Sequence, residues 1–154
     1  MTLLGRSDGD NYESGSSYLE LAQFIVQHGA KPNEDLAELW QRIVFSIAVS
    51  NTDDHLRNHG FLLTSQGWKL SPAYDLNPNP SGSGLSLNIS MDDNSLDFEL
   101  ALSVATQFRL NPEQAKEYLA NIKNVVSNWR EIAFRFKISA VEIENMTLAF
   151  SSKN

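Results

Sequence analysis

A polar segment interrupts the most apolar part of this chain at residues 50–59, which read Ser50-Asn51-Thr52-Asp53-Asp54-His55-Leu56-Arg57-Asn58-His59. Nine of these ten residues are polar, and they come directly after an apolar stripe at helical spacing that ends near residue 49. A polar loop that leaves a buried helix is well placed to hold reactive side chains. Taken alone, the segment fits equally well an ordinary loop in which Asn and Asp cap the helix.

The residues after the loop favour a chemical role. Two short apolar runs, residues 61–63 and 68–70, are separated by Thr64-Ser65-Gln66-Gly67 and predict a β-hairpin. Asn58 precedes this hairpin and Asp75 comes after it, 22 residues beyond Asp53. Phosphoryl-transfer sites of the protein-kinase type use this order: a base Asp, an Asn five residues on, a short hairpin and a second Asp.

Magnesium chemistry gives a reason for this arrangement. Mg²⁺ prefers oxygen ligands and takes only a few of them from protein, the rest coming from phosphates and water. The Asn58 amide oxygen and the Asp75 carboxylate suit that role, whereas Asp53 would stay free of metal to accept a proton. The spacing of five residues selects Asp53 over Asp54, which stands only four residues before Asn58.

The chain resembles the HipA-type serine/threonine kinases, the toxin components of bacterial HipBA systems, in two runs: Asn51-Thr52-Asp53-Asp54-His55-Leu56-Arg57-Asn58 and Leu70-Ser71-Pro72-Ala73-Tyr74-Asp75-Leu76. The resemblance implies that residues 1–154 form the C-terminal lobe of that kinase. It implies Asp53 as the catalytic base and Asn58 and Asp75 as the Mg²⁺ ligands. The nucleotide site that it implies for ATP is lined by His55, Leu56, Arg57, Asn58, Tyr74 and Asp75.

The same resemblance implies a bacterial cytoplasmic protein that phosphorylates a protein substrate and pairs with a small DNA-binding antitoxin. An ATP kinase also needs a phosphate-cradling loop and a lysine. No glycine-rich loop followed by a strand lysine precedes residue 53, and residues 5–16 contain three acidic side chains. We therefore expect the N-terminal lobe of the kinase to lie outside this sequence, and the 154 residues alone to be inactive.

Composition excludes several classes of protein. The chain has 12 Lys and Arg against 19 Asp and Glu, a net charge of −7, and no cysteine. Disulfide scaffolds, thiolate zinc sites and cysteine nucleophiles are thereby excluded. The acidic balance argues against direct binding to nucleic acid or to an anionic membrane. The longest apolar run, residues 43–49, is too short to span a bilayer, and the first six residues lack the charged region followed by a long apolar one that is typical of a signal peptide.

Periodicity predicts a mainly α fold with the one hairpin, which the resemblance places as the helical C-terminal lobe of a protein-kinase-like fold. Helices are predicted over about 18–28, from 32 to 49, over 96–108, from 112 to about 133, and from 139 to 150. Residues 71–84 hold three prolines and two glycines and predict irregular structure. A weak alternation over residues 85–90 suggests a short strand.

Two other functions stay open at this point. His55 and His59 stand four residues apart, so with Asp53 or Asp54 they could form the metal site of a hydrolase. The glutamate of the usual zinc motif is missing, however, since position 56 is Leu. The helical back half could instead be a non-catalytic, partner-binding module. The side chain of Arg57 could reach a phosphate or form a surface ion pair.

Overall fold

The computed structural model of this chain describes residues 2–151. In that range it contains six α-helices and a sheet of two antiparallel strands, which confirms the mainly α prediction with its one hairpin. The elements are α1 (Tyr18–His28), α2 (Pro32–Val49), β1 (Phe61–Thr64), β2 (Gly67–Leu70), α3 (Phe98–Ser103), α4 (Pro112–Ser127), α5 (Trp129–Arg135) and α6 (Ala140–Asn145).

The first two helices form the centre of the core. Helix α1 begins where the sequence predicts, with the Ser17 backbone N–H donating to Glu20 at 3.3 Å. Helix α2 has Pro32 at its start and buries one face almost completely. The buried side chains of α2 include Leu36, Leu39, Trp40, Ile43, Val44 and Ile47. The core therefore gives the polar loop after α2 a rigid support.

The end of α2 sets the direction of that loop. Ser50 adopts the left-handed conformation with φ 52°, and its N–H donates to the Ile47 carbonyl, which closes the last turn. Its hydroxyl donates to the carbonyl of Ala149 at 2.9 Å, far along the chain. The next residues leave the helix axis, and a short 3₁₀ turn forms at Leu56–Asn58.

The hairpin comes next and is anchored to α1. Phe61 pairs with Leu70 and Thr64 with Gly67. Gly67 has φ 128°, and a Cβ there would lie 2.7 Å from the His28 carbonyl oxygen, so the turn requires glycine at this position. The N–H of Ala30 donates to the Trp68 carbonyl at 2.7 Å, which fixes β2 beside the end of α1.

Residues 85–90 do not form the predicted strand. Most of them are buried, and they make single bridges instead, with Asn88 paired to Ser17 in parallel. The N–H of Asn88 donates to the Ser16 carbonyl at 2.9 Å, and the N–H of Tyr18 donates back to the Asn88 carbonyl at 3.0 Å. The alternation reflects burial against the core rather than membership of a sheet.

The helices of the back half are shorter than predicted. The helix expected over 96–108 ends at Ser103 and continues as a 3₁₀ turn, Ala105–Phe108, before Arg109 turns left-handed with φ 57°. The helix expected to reach residue 133 breaks at Asn128, whose side chain donates to the Asn124 carbonyl at 2.9 Å and competes with the helical ladder. The last helix ends at Asn145, and tight turns come after it.

Within the described range, none of the helices is long and apolar enough to cross a membrane.

Candidate functional site

The side chains of Asn58 and Asp75 meet, as their positions around the hairpin lead one to expect. The Asn58 amide Nδ2 donates to Asp75 Oδ2 at 3.1 Å. Asn58 is 4% exposed, whereas Asp75 is exposed and has a left-handed backbone with φ 57°. Asn77 donates to the other carboxylate oxygen of Asp75 at 2.5 Å. The side chains of the two predicted Mg²⁺ ligands are thus in contact, with Asn58 buried and Asp75 exposed to solvent.

The hairpin and its exit hold this contact in place. The Ser71 N–H donates to the Gly60 carbonyl at 2.9 Å, which extends the pairing beyond both strands. The Tyr74 hydroxyl then donates to the Arg57 carbonyl at 2.5 Å. A Cβ at Gly60 would lie 3.0 Å from the Ser71 hydroxyl oxygen, so the close approach favours glycine. Two connections therefore join the loop of Asn58 to the loop of Asp75.

Asp53 and Asp54 are neighbours in sequence with different surroundings. The Asp53 side chain is exposed to solvent, and its backbone carbonyl accepts from the His55 N–H at 3.0 Å. Asp54 is 1% exposed and accepts a 2.6 Å hydrogen bond from the Tyr18 hydroxyl. His59 Nε2 lies 3.1 Å from Asp54 Oδ1. The Asp53 side chain is therefore open to solvent, whereas the Asp54 carboxylate is enclosed.

The enclosed carboxylate remains ionised. Burial alone would raise the pKa of Asp54, but the charge of His59 and the hydrogen bonds donated to the carboxylate outweigh burial, so the pKa lies below its ordinary value. Burial, followed by the charge of Asp54, raises the pKa of Tyr18 well above its ordinary value. The cluster therefore holds a carboxylate and a neutral phenol at neutral pH.

The residues between Asp54 and Asn58 have different surroundings. Leu56 is 2% exposed and belongs to the hydrophobic core, so the structure does not bring its side chain to the surface beside Asp53. The Arg57 guanidinium is half-exposed, pairs with the Asp8 carboxylate and lies 2.8 Å from His55 Nε2. His55, Leu56 and Arg57 nevertheless line a small cavity of about 120 Å³ together with residues 9–11 and Ser86.

Sequence reasoning missed several of these contacts. The pairs Arg57–Asp8 and Tyr18–Asp54 join residues 49 and 36 positions apart, and no local pattern identifies such partners. The Asn77 contact to Asp75 joins two side chains only two residues apart, and the closeness of an amide donor to a carboxylate in the sequence is a signal that could have found it. The sequence left two roles open for Arg57, a contact to a phosphate and a surface ion pair. The structure shows the ion pair, with Asp8 as the partner.

The donor set at Asn58 and Asp75 fits Mg²⁺. Two oxygen-bearing side chains in contact, one of them an exposed carboxylate, match an ion that keeps most of its other ligands as water or phosphate. The hydrolase alternative has less support, since no group of three His, Cys, Asp or Glu side chains able to hold a metal occurs among residues 2–151. His59 lies against Asp54 instead.

Comparison with known proteins gives a consistent assignment. The family model described as "HipA-like C-terminal domain" matches residues 1–129. The chain is 36% identical over 72 residues to a Haemophilus influenzae protein named "Putative kinase", and 31% identical over 64 residues to "Putative kinase Y4mE" of Sinorhizobium fredii.

These alignments cover 46% and 42% of this chain but only 21% and 15% of the relatives, so the match spans about a fifth or less of their length. The family model, by contrast, covers well over half of the chain and includes all of the predicted site residues from Asp53 to Asp75. The chain belongs to the HipA-like C-terminal domain family.

Proposed function

We propose that this chain, residues 1–154, is the C-terminal catalytic lobe of a HipA-like serine/threonine protein kinase that transfers the γ-phosphoryl group of ATP to a hydroxyl of a protein substrate. The observation that carries the proposal is the 3.1 Å contact between Asn58 and Asp75, on the loops before and after the hairpin. The exposed Asp53 lies five residues before Asn58 on the same loop.

Asp53 is proposed as the catalytic base. The substrate hydroxyl oxygen bonds to the γ-phosphorus while the bond from that phosphorus to the ADP oxygen breaks, and the hydroxyl proton passes to the Asp53 carboxylate. The exposure of Asp53 supports this role, because the substrate hydroxyl must reach the carboxylate from solvent. Asp54 cannot play it, since its carboxylate is buried and already accepts from Tyr18.

Asn58 and Asp75 are proposed to hold Mg²⁺ with the nucleotide. The ion would neutralise the charge of the phosphates during transfer. The Asn58 side chain donates to Asp75 in the structure, and a half-turn of its amide group would present Oδ1 to a cation in the same place. Asn77, bonded to the other oxygen of Asp75, would hold that carboxylate in orientation.

The proposed nucleotide site includes the side chains of His55, Arg57 and Tyr74, and Leu56 through its backbone. Arg57 is half-exposed and can exchange its surface partner Asp8 for a phosphate oxygen, a charge-assisted contact of the same kind. Tyr74 is 47% exposed and already bonds to the loop of Arg57, so its ring is available at the surface.

Several further properties belong to the same proposal. The kinase acts in the bacterial cytoplasm, and its partner is a small DNA-binding antitoxin that makes the DNA contacts. This chain carries a net charge of −7, which agrees with leaving such contacts to a partner. The isolated 154 residues have negligible activity, because positioning and charge stabilisation by a phosphate-binding lobe supply most of kinase catalysis.

Magnesium titration of the ¹⁵N-labelled chain tests the proposal. We expect the side-chain amide signal of Asn58 and the backbone amide signals of Asn58 and Asp75 to shift on Mg²⁺ addition, with a Kd of about 1 mM, as for weak hard-cation sites. Asp75→Asn should abolish the shift. The matched control is Asp92→Asn, which removes the same charge from an exposed residue of another loop.

Two results would refute the metal site. One is the absence of any Mg²⁺ response at Asn58 and Asp75, which would favour the non-catalytic, partner-binding module. The other is an equal loss of affinity in Asp75→Asn and Asp92→Asn, which would show that only the net charge of the chain attracts the cation.

A further inference from the structure

A buried polar cluster adjoins the loop that carries the proposed metal ligand Asn58. It consists of Tyr18, Asp54 and His59, which are 0%, 1% and 6% exposed. The Tyr18 hydroxyl donates to Asp54 Oδ2 at 2.6 Å, and His59 Nε2 lies 3.1 Å from Oδ1 of the same carboxylate. The rings of Tyr18 and His59 pack edge to face with centroids 5.6 Å apart.

The cluster links the loop to both core helices. Tyr18 is the first residue of α1, and Ser46 of α2 donates to Asp54 Oδ2 at 3.3 Å. Asp54 and His59 stand at the two ends of residues 55–58, the segment that contains Asn58. Both ends of this segment are therefore tied to the core, one through the Asp54 carboxylate and the other through the His59 ring.

Stability alone does not account for these residue types. Buried ion pairs lose much of their attraction to the cost of desolvation, and apolar side chains of similar volume often give equal or greater stability. A buried polar cluster does, however, define one geometry, because Tyr18 of α1 and Ser46 of α2 both donate to Oδ2 of Asp54, while His59 Nε2 lies 3.1 Å from Oδ1.

We propose that Tyr18, Asp54 and His59 are positioning residues: they hold residues 55–58 so that the Asn58 side chain faces Asp75. The link to Mg²⁺ binding rests on the proposed function. The cluster acts through the backbone of the segment, where the Asn58 N–H donates to the His55 carbonyl at 2.9 Å and the His59 N–H donates to the Leu56 carbonyl at 3.3 Å.

The first test uses the metal-free chain and Tyr18→Phe, which removes one hydroxyl and changes neither charge nor ring. We expect hydrogen exchange of the Asn58 side-chain amide to accelerate about fivefold or more, as one hydrogen bond to a charged group is lost. The control is Trp40→Phe, which removes another buried hydrogen bond, from Trp40 Nε1 to the Ala101 carbonyl at 2.9 Å.

Trp40→Phe should leave hydrogen exchange of the Asn58 side-chain amide unchanged, even if thermal unfolding shows that this variant loses as much stability as Tyr18→Phe. Unchanged exchange in Tyr18→Phe, or equal acceleration in both variants, would overturn the proposal. This measurement needs no magnesium, so it decides the positioning role even if the wild-type chain binds no Mg²⁺ and the proposed function fails.

The second test is Mg²⁺ titration of His59→Leu. Without a positioning role, replacing the His59 ring would leave the Mg²⁺ affinity unaltered. The positioning role predicts instead a Kd weakened about threefold or more, as for loss of an outer-shell partner of a metal ligand. His59→Gln, which keeps a donor for Asp54, should recover part of the affinity. Tighter or unaltered binding by a folded His59→Leu chain would contradict the proposal.

Discussion

Replacing two adjacent aspartates by alanine should have sharply different effects on stability. Asp54→Ala removes a buried carboxylate and leaves the Tyr18 hydroxyl, the Ser46 hydroxyl and His59 without their shared partner. Breaking a buried charged pair by deleting one member costs about 3–5 kcal/mol. Asp53→Ala changes an exposed side chain, for which a change within about 0.5 kcal/mol is typical.

The measurement is urea and thermal unfolding of the two variants and the wild type, monitored by circular dichroism at pH 7. At about 2–4 °C per kcal/mol for a domain of this size, Asp54→Ala should lower the Tm by about 6–20 °C. Asp53→Ala should leave it nearly unchanged. Equal losses in the two variants, or a larger loss in Asp53→Ala, would refute the assignment of Asp54 to the buried cluster.

Contacts in the same loops support four further predictions. Folding lowers the pKa of Asp54. The contribution of this carboxylate to stability is therefore present above the unfolded pKa of about 3.9 and disappears as the pH falls through the folded pKa. The difference in unfolding free energy between wild type and Asp54→Asn should shrink in acid titrations of unfolding. In a chain joined to a phosphate-binding lobe, Asp53→Asn should abolish phosphoryl transfer but retain ATP binding, whereas Asp75→Asn should weaken the binding of Mg²⁺–ATP. An equal loss of ATP binding in the two variants, measured by isothermal titration, would contradict these roles. Gly82→Ala should destabilise the chain by about 1–3 kcal/mol in urea unfolding, because its Cβ would lie within van der Waals overlap of the Thr52 side chain. Asp8→Asn should change stability by less than about 1 kcal/mol, since the Arg57–Asp8 pair is solvent-exposed, but should release Arg57, detectable as a shift of its guanidinium NMR signal.

Local signals in the sequence predicted the local parts of the fold well. The start of α1 is encoded by Ser17 and Glu20, three residues apart, and the hairpin by two short apolar runs with a glycine in the turn. The contact of Asn58 with Asp75 has a similar origin, because the hairpin brings the residues on either side of it close together.

Features that depend on distant partners were not predictable in this way. Residues 85–90 alternate like a strand, but their partners include Ser16 and Ser17 near the start of the chain, and only single bridges form. One miss is local instead: the apolar pattern continues from α4 into α5, whereas the helix breaks at Asn128, whose side chain donates to the backbone carbonyl four residues earlier. The partners of Asp54 and Arg57, by contrast, become visible only in three dimensions.

The hairpin between Asn58 and Asp75 has a consequence for the order of folding. These two residues are 17 positions apart, so closing their contact needs only a short loop and a hairpin, an event on the scale of microseconds. The bond from Tyr18 to Asp54 spans 36 positions and requires α1 and α2 to be packed first. We therefore expect the contact of Asn58 with Asp75 to form earlier in refolding than the buried cluster of Tyr18, Asp54 and His59.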